Sequence, residues 1–197
     1  SRKDNFWAWR LAMYEVALSV NPEQLESIAT MLYVEMLRNG YTSVAEFHYL
    51  HHDDKGLPYA HISELGERLI SAAKTAGIHI TLIPIFYQKG GFGLPAESQQ
   101  RRFLSKDVDD YFRLLEASTA SIKYYENAQM GFGIHSLRAA DKNSIERIFK
   151  EGPTDAPIHL HLAEQLKEVD ACVDFYRERP AQWLLNQGFL NGRFHLI

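Results

Sequence analysis

The sequence predicts an α/β fold in which a parallel β-sheet is covered by helices. Two helical segments open the chain, and strand and helix segments then alternate four times before a fifth strand. Such alternation is typical of parallel strands joined by crossover helices. Residues 79–86 are apolar and rich in β-branched side chains, as expected of a strand buried on both faces. A doubly wound sheet and a (β/α)₈ barrel both satisfy this pattern.

The first half of the chain contains the two helices and two of the strands. Asn21-Pro22-Glu23 marks a helix start, because it offers an Asn cap, a proline in the first turn and an acid at the positive helix end. We predict helices over 6–20, 22–38 and 63–76, and strands over 42–49 and 79–86. The apolar side chains that share a face of the first helix, and should be buried, are Phe6, Trp9, Met13, Val16 and Ala17.

The second half continues the alternation after a long loop. We predict helices over 107–116, 141–150, 164–176 and 180–186, and strands over 131–136, 157–163 and 193–197. The loop after residue 86 contains Gly90, Gly91, Gly93 and Pro95 and exceeds the usual connection length, so we expect it to be functional or mobile. No G-x-G-x-x-G follows the first strand, which disfavours a dinucleotide-binding sheet.

Composition restricts the class of protein. The 197 residues are 46% hydrophobic, so residues 1–197 can form one domain with a substantial core. A net charge of -4 without a basic stripe argues against nucleic-acid binding. No apolar run approaches the roughly 18 residues of a membrane span, and residues 1–5 are no signal peptide. The single cysteine, Cys172, fits a reducing compartment, so we expect a cytoplasmic protein without membrane partners.

The segment 157–163 carries the chemistry. Side chains alternate along a strand, so His159 and His161 share one face, and Glu164 follows the strand. Neutral imidazole suits zinc, and a nearby carboxylate outside the ligand set can move protons. The alternative is that both histidines are hydrogen-bonded core residues.

Polar side chains at the other strand ends favour a site over that alternative. In barrels the carboxyl ends of the strands build the active site. His161 lies nearer to that end than His159, so His161 is the better ligand and His159 the better core residue. The loop His51-His52-Asp53-Asp54 is a weaker metal candidate. The polar residues that end the four strands are Glu46, His48 and Tyr49, then Tyr87, Gln88 and Lys89, then His135 and Arg138, and finally His161 and Glu164.

At these positions the sequence resembles the formimidoylglutamate deiminases, zinc-dependent amidohydrolases of histidine degradation. The resemblance spans nearly the whole chain. It rests on Leu32–Asp53, on Gly91–Gly93 with Gln100–Phe103, on Gly133–Ala139, and on His159–Val169 with Arg179–Leu185.

The resemblance implies part of a (β/α)₈ TIM-type barrel, approximately strands two to six with their helices, and a site with one Zn²⁺. It places the zinc ligand on His161 and the general acid/base on Glu164. Substrate contacts fall on Tyr49, His135 and Arg138, and the planar fork of Arg138 suits a carboxylate. The implied reaction is zinc-assisted hydrolysis of N-formimino-L-glutamate to N-formyl-L-glutamate and ammonia, with Glu164 protonating the departing nitrogen.

The chain departs from the family pattern in its metal ligands. The His-x-His pair of the first barrel strand and the aspartate of the eighth have no counterpart, and His195 is a poor substitute. We therefore expect an internal segment that is inactive alone. Two alternatives stay open, namely an amidohydrolase acting on a purine or another amidine and a non-catalytic assembly module. The expected partner is a small molecule with carboxylates, and a homodimer is a candidate assembly.

Overall fold

The computed structural model describes residues 6–197, with the side chains of Phe6, Trp7, Ala8 and Leu11 excepted. Residues 1–5, on which the signal-peptide argument rests, lie outside the described residues. The helices are α1 (Phe6–Ser19), α2 (Pro22–Arg38), α3 (Glu64–Ala76), α4 (Val108–Ser121), α5 (Lys142–Glu151), α6 (Leu166–Tyr176) and α7 (Pro180–Asn186). The strands are β1 (Ser43–His48), β2 (His79–Phe86), β3 (Ala128–Met130), β4 (Phe132–Ser136), β5 (Ile158–His161) and β6 (Phe194–Leu196). Within the described residues, no helix is both long enough and apolar enough to cross a lipid bilayer.

All strand pairs are parallel, and the order across the sheet is β1-β2-β4-β5-β6, with β3 pairing with β2 just before β4 begins. Spatial neighbours therefore follow one another along the chain. A doubly wound sheet would reverse direction at a switch point, whereas a barrel adds each strand beside the last. The prediction of a partial (β/α)₈ barrel is confirmed, and the doubly wound alternative is wrong.

An irregularity in the sheet explains the Gly131-Phe132-Gly133 sequence. The β4–β5 register shifts between Gly133 and Ser136. A Cβ atom on Gly133 would overlap the carbonyl oxygen of His159, so the two backbones approach closely only because residue 133 is glycine. The buried Tyr111 hydroxyl accepts from the Gly133 N–H at 3.0 Å and donates to the Pro84 carbonyl at 2.8 Å. The helix α4 thereby satisfies the backbone groups that irregular pairing leaves open.

The hydrophobic core lies between the sheet and the helices. One cluster joins β2, β4 and β5 to α4–α7, and a second joins β2 to α2 and α3. The predicted buried face of α1 is found only in part. Trp9 is 57% and Val16 60% exposed, whereas Met13 and Ala17 are partly buried against the cluster that contains the buried Tyr14. The side chain of Phe6 lies outside the described part of the structure. Helix α1 packs through Tyr14 against Phe103 and Tyr87, near the carboxyl end of the sheet, and does not lay its apolar stripe on the strands.

The largest differences from the predicted elements concern helix α4, strand β3 and the connection between β5 and α6. Helix α4 continues five residues beyond 116, and β3 was missed because a three-residue strand carries too little pattern. Helix α6 begins at Leu166 and not at residue 164. The cause lies at Ala163, which has φ +60°, a left-handed conformation that interrupts the backbone between strand and helix. Glu164 is therefore in the connecting loop.

Candidate active site

A cavity of about 250 Å³ lies at the carboxyl ends of the strands. Its wall contains all five predicted site residues, namely Tyr49, His135, Arg138, His161 and Glu164. They come from the carboxyl ends of β1, β4 and β5 or from the loops that follow these strands. A larger cavity of about 470 Å³ lies beside it, and Arg10 and Arg138 line both.

His161 ends β5 with its ring among other rings. The centroid of its imidazole lies 4.3 Å from that of Phe47 and 5.0 Å from that of His135. Its Nδ1 atom is buried and has no hydrogen-bond partner. Burial lowers the pKa of His161, against an opposite effect of Glu164, so the ring is neutral at pH 7 and holds a lone pair.

His135 is a second neutral imidazole in the wall. Its ring packs against those of Tyr87 and Tyr49, with centroids 4.7 and 5.2 Å away, and Nδ1 lies 3.2 Å from the Ser136 hydroxyl. Burial, followed by the charge of Arg138, lowers the pKa of His135 well below its ordinary value. The ring therefore offers a hydrogen bond to a substrate without adding charge.

Arg138 links the catalytic candidate to a buried acid. Its Nη1 lies 2.7 Å from Oε2 of Glu168, and its Nη2 lies 3.6 Å from Oε2 of Glu164. The Glu168 side chain is 3% exposed and stands in the first turn of α6, where it lines the larger cavity and not the smaller one. Burial raises the pKa of Glu168, and Arg138 opposes that shift. The guanidinium thus has one buried anchor and one edge toward the pocket.

Tyr49 follows β1 on the same face as Phe47, and both line the cavity. Burial raises the pKa of Tyr49 to about 12, so its hydroxyl is protonated and can donate a hydrogen bond. Glu46 faces the other side of the strand and accepts from the Tyr33 hydroxyl of α2 at 2.8 Å. That contact places the Glu46 side chain between the sheet and α2 and not in the cavity.

The weaker metal candidates have other partners. His51 Nε2 lies 3.0 Å from the Ile85 carbonyl oxygen, and His52 Nδ1 lies 3.3 Å from that of Arg102. Asp53 accepts from two backbone N–H groups of its own turn. Hydrogen bonds within its own turn and to the backbone of Ile85 and Arg102 hold this loop, and it does not line the pocket.

His159 lies below the pocket, as predicted for a core residue. Its side chain is buried, and its ring stacks on that of His195 with centroids 4.5 Å apart and planes 12° apart. Cys172 is buried in the core cluster, as predicted for a packing residue.

Sequence reasoning missed the contribution of α1. Arg10 and Tyr14 line the pocket beside Tyr87, and Arg10 Nε donates to the Tyr14 hydroxyl at 2.8 Å. Tyr87 carried a signal, since it follows a strand end. No spacing in the sequence shows that an N-terminal helix lies across the carboxyl end of the sheet.

The site can be tested for its fit to zinc. Structural and catalytic zinc sites use three or four protein ligands. Over residues 6–197, no three His, Cys, Asp or Glu side chains come together in a group that could hold a metal ion. The unpartnered Nδ1 of His161 is one suitable donor. The residues described here therefore supply one ligand position and do not fit a complete zinc site.

Comparison with curated proteins identifies relatives that cover nearly the whole chain. The chain is 44% identical over 195 residues to the formimidoylglutamate deiminase of Pseudomonas aeruginosa. The matched region covers 98% of this chain and 43% of the relative. The chain is 25% identical over 178 residues to a 5-methylthioadenosine/S-adenosylhomocysteine deaminase of Thermodesulfovibrio yellowstonii, covering 88% of this chain and 34% of the relative. No family model matches the chain.

Solved structures agree with the sequence comparison. An amidohydrolase from Brucella melitensis superposes with a TM-score of 0.93 at 44% identity, over 100% of this chain and 44% of that structure. An adenosine deaminase from Xanthomonas campestris with bound zinc superposes with a TM-score of 0.71 at 18% identity, over 100% of this chain and 39% of that structure, which shows a shared fold alone. The chain spans less than half the length of these relatives. By sequence and fold together, the chain is similar over nearly its whole length to part of formimidoylglutamate deiminase and to part of an amidohydrolase structure.

Proposed function

We propose that the protein containing this chain hydrolyses N-formimino-L-glutamate to N-formyl-L-glutamate and ammonia. One observation carries the proposal. A single pocket of about 250 Å³ joins a carboxylate (Glu164), an imidazole with an unpartnered nitrogen (His161) and a guanidinium (Arg138). A hydrolysis that expels ammonia needs a proton carrier at the leaving nitrogen, and an anionic substrate needs a cation.

Different residues of this chain supply the proton carrier, the cations and the hydrogen-bond donors. Glu164, whose side chain is 31% exposed, faces the cavity, where its carboxylate can take a proton from the attacking water and pass it to the departing nitrogen. Arg138 and Arg10 bring two guanidiniums to one pocket, which matches a substrate with two carboxylates. His135 and Tyr49 donate hydrogen bonds without adding charge, because burial keeps the imidazole neutral and the phenol protonated.

Zinc as the cofactor is part of this proposal. His161 would be one ligand, and the remaining ligands would come from outside the described residues. The support is the donor nitrogen of His161, together with the zinc in two structures of the same fold, the adenosine deaminase and an atrazine chlorohydrolase of Arthrobacter aurescens. In hydrolases zinc supplies a polarised water. We also propose a place in histidine degradation, supported by the resemblance to the deiminase, and a cytoplasmic location, supported by the single cysteine.

A purine deaminase is the second candidate, favoured by the methylthioadenosine/S-adenosylhomocysteine deaminases among the relatives. Two guanidiniums in the pocket match the two carboxylates of N-formimino-L-glutamate better, because S-adenosylhomocysteine carries one carboxylate and 5-methylthioadenosine carries none.

The substitution Arg138→Ala in the whole protein separates these candidates. We expect the KM for N-formimino-L-glutamate to rise by roughly 10- to 100-fold, in line with the loss of a charge-assisted hydrogen bond. The control Arg147→Ala removes a guanidinium from the ion pairs with Asp109 and Glu151 on the helical surface and should leave KM unchanged. An unchanged KM in Arg138→Ala, or better turnover of a purine nucleoside than of N-formimino-L-glutamate, would contradict the proposal.

A further inference from the structure

A fully buried glutamine connects two tyrosines of the pocket wall. Gln100 is 0% exposed, and its Nε2 lies 2.8 Å from the Tyr87 hydroxyl and 3.2 Å from the Tyr14 hydroxyl. Its Oε1 accepts from the backbone N–H of Glu97 at 2.7 Å. A backbone N–H can only donate, so this bond fixes which end of the amide faces which partner. The NH₂ group of Gln100 must point to the tyrosines.

This orientation determines what the two hydroxyls can do. A tyrosine hydroxyl accepts through its oxygen and has one proton to donate. Tyr14 accepts from Gln100 and also from Nε of Arg10, at 2.8 Å, which occupies both lone pairs of its oxygen. Tyr87 accepts from Gln100 and keeps one lone pair, the only acceptor in the pair that the Tyr14 proton could use.

The tyrosine pair has more hydroxyl protons than acceptors for them. The two hydroxyls carry two protons, and the pair offers at most one internal acceptor. In the part of the chain that the structure describes, no other oxygen or nitrogen accepts from either hydroxyl. Burial raises the pKa of Tyr87, so this hydroxyl keeps its proton at neutral pH. At least one O–H donor is therefore left for the cavity that both tyrosines line.

We propose that Gln100 is a positioning residue that leaves at least one hydroxyl of the Tyr14–Tyr87 pair to donate into the pocket, toward a carboxylate of the substrate. The inference rests on the proposed function and deepens it, since it states how the same site recognises the anionic end. Arg10 and Arg138 supply charge in that wall, and the tyrosine O–H supplies direction.

The isosteric variant Gln100→Glu tests this role in the whole protein. A carboxylate only accepts, so it would attract the hydroxyl protons and withdraw them from the pocket. We expect glutarate, a dicarboxylate probe, to bind about tenfold more weakly by calorimetry, and the KM for N-formimino-L-glutamate to rise about tenfold. We expect kcat to change less than about threefold, because binding and not proton transfer is affected. Gln99→Glu, the same change at the exposed preceding residue, should alter none of these quantities.

The double variant Tyr14→Phe/Tyr87→Phe separates the loss of the hydroxyl donors from the effect of the added negative charge. It removes both hydroxyls without adding a carboxylate, and we expect the same loss of glutarate affinity. Adding Gln100→Glu to it should then cost little more, because the groups that glutamate redirects are gone. A full further loss in that triple variant would mean charge repulsion and would overturn the proposal, as would unchanged glutarate affinity in Gln100→Glu.

Three further outcomes also test the role of Gln100. If thermal unfolding shows that Gln100→Glu does not fold, the tyrosine pair variant alone decides, with unchanged glutarate affinity overturning the inference. If the unsubstituted protein binds glutarate but does not turn over N-formimino-L-glutamate, the deimination proposal fails while the binding comparison still tests Gln100. If it binds no glutarate at all, the carboxylate assignment fails for both.

Discussion

Two arginines are each surrounded by carboxylates, in regions with different tasks. Arg68 on α3 lies within 3.2 Å of Glu23, Glu26 and Glu64, with its own side chain 30% exposed. Arg138 follows β4, is 17% exposed and lies between the buried Glu168 and Glu164 of the pocket. The first network joins α2 to α3 at the surface, and the second stands in the wall of the candidate site.

The comparison shows that similar ion pairs contribute differently to stability, because they differ in their exposure to solvent. Solvent screens the network around Arg68, and exposed pairs contribute little to stability. The pair between Arg138 and Glu168 has lost most of its water, so removing either partner leaves an unpaired buried charge. We therefore expect substitutions around Arg138 to affect both stability and catalysis, and substitutions around Arg68 to affect stability only slightly.

The largest effect should come from Glu164→Gln in the whole protein. If Glu164 moves the proton to the leaving nitrogen, kcat should fall by roughly 10²- to 10⁴-fold while KM changes little. Steady-state ammonia release measures both parameters. Glu116→Gln, an exposed glutamate on α4, is the matched control and should retain full kcat. A kcat within about threefold of the unsubstituted protein would exclude Glu164 as the proton carrier.

Removing the buried anchor should be the most damaging change to stability. Glu168→Ala leaves Arg138 without its 2.7 Å partner, and we expect the free energy of unfolding to fall by about 3–5 kcal/mol. Urea denaturation of the two proteins measures the difference. Glu146→Ala, which breaks surface pairs with Lys142 and Lys150, should cost less than about 1 kcal/mol. Equal losses in the two variants would show that burial does not distinguish the regions.

The interior should also make the fold sensitive to mild acid. Burial lowers the pKa of His51 from 6.5 to about 4. Below pH 6.5 the His51 imidazole is therefore protonated in the unfolded chain but stays neutral in the folded chain. The free energy of unfolding falls as the pH drops from about 6.5 to about 4. The loss from this group is about 3 kcal/mol. Denaturation at a series of pH values should show the slope, and His51→Gln should reduce it without abolishing it, because burial also lowers the pKa values of His48, His135 and His159.

The helical surface should respond in a lower pH range. Hydrogen bonds from Ser71 and Arg68 lower the pKa of Glu26 below its usual 4.5. Its stabilising effect is therefore complete above about pH 4.5 and is lost as the pH falls through the lowered pKa. If His51→Gln leaves the pH dependence of the unfolding free energy between pH 6.5 and about 4 unchanged, the assignment of that range to the His51 imidazole is wrong.

The smallest effect should come from Arg68→Ala. Three partly exposed carboxylates lose a shared cation, and we expect a loss of about 1 kcal/mol in the free energy of unfolding. High salt should reduce the difference, since it screens surface charges. A loss above about 3 kcal/mol that persists in high salt would place this network with the buried one.

Much of the fold could be predicted because its elements repeat with regular signals. Strand β2 and helix α7 lie within the predicted bounds, since an apolar β-branched run and a Pro-to-Gly helix segment are local features. The place of α1 is not local. It depends on the buried Arg102, whose Nη1 donates to the Ala17 and Val20 carbonyls, and on the contacts of Tyr14. Ties between residues more than 80 positions apart leave no spacing signal.

The candidate site shows the same division. The resemblance supplied Tyr49, His135, Arg138, His161 and Glu164, and the structure brings all five to one pocket, while their individual roles stay predictions. The partner of Arg138 and the left-handed turn at Ala163 were not foreseen, because both depend on how α6 meets the strand that precedes it.

The most direct test of the central claim is a product analysis with the purified whole protein and N-formimino-L-glutamate. Hydrolysis of the formimino group can break either of two carbon–nitrogen bonds. Our account predicts one ammonia and one N-formyl-L-glutamate for each substrate consumed, because Glu164 protonates the terminal nitrogen. Formamide with L-glutamate, or no product at all, would contradict it.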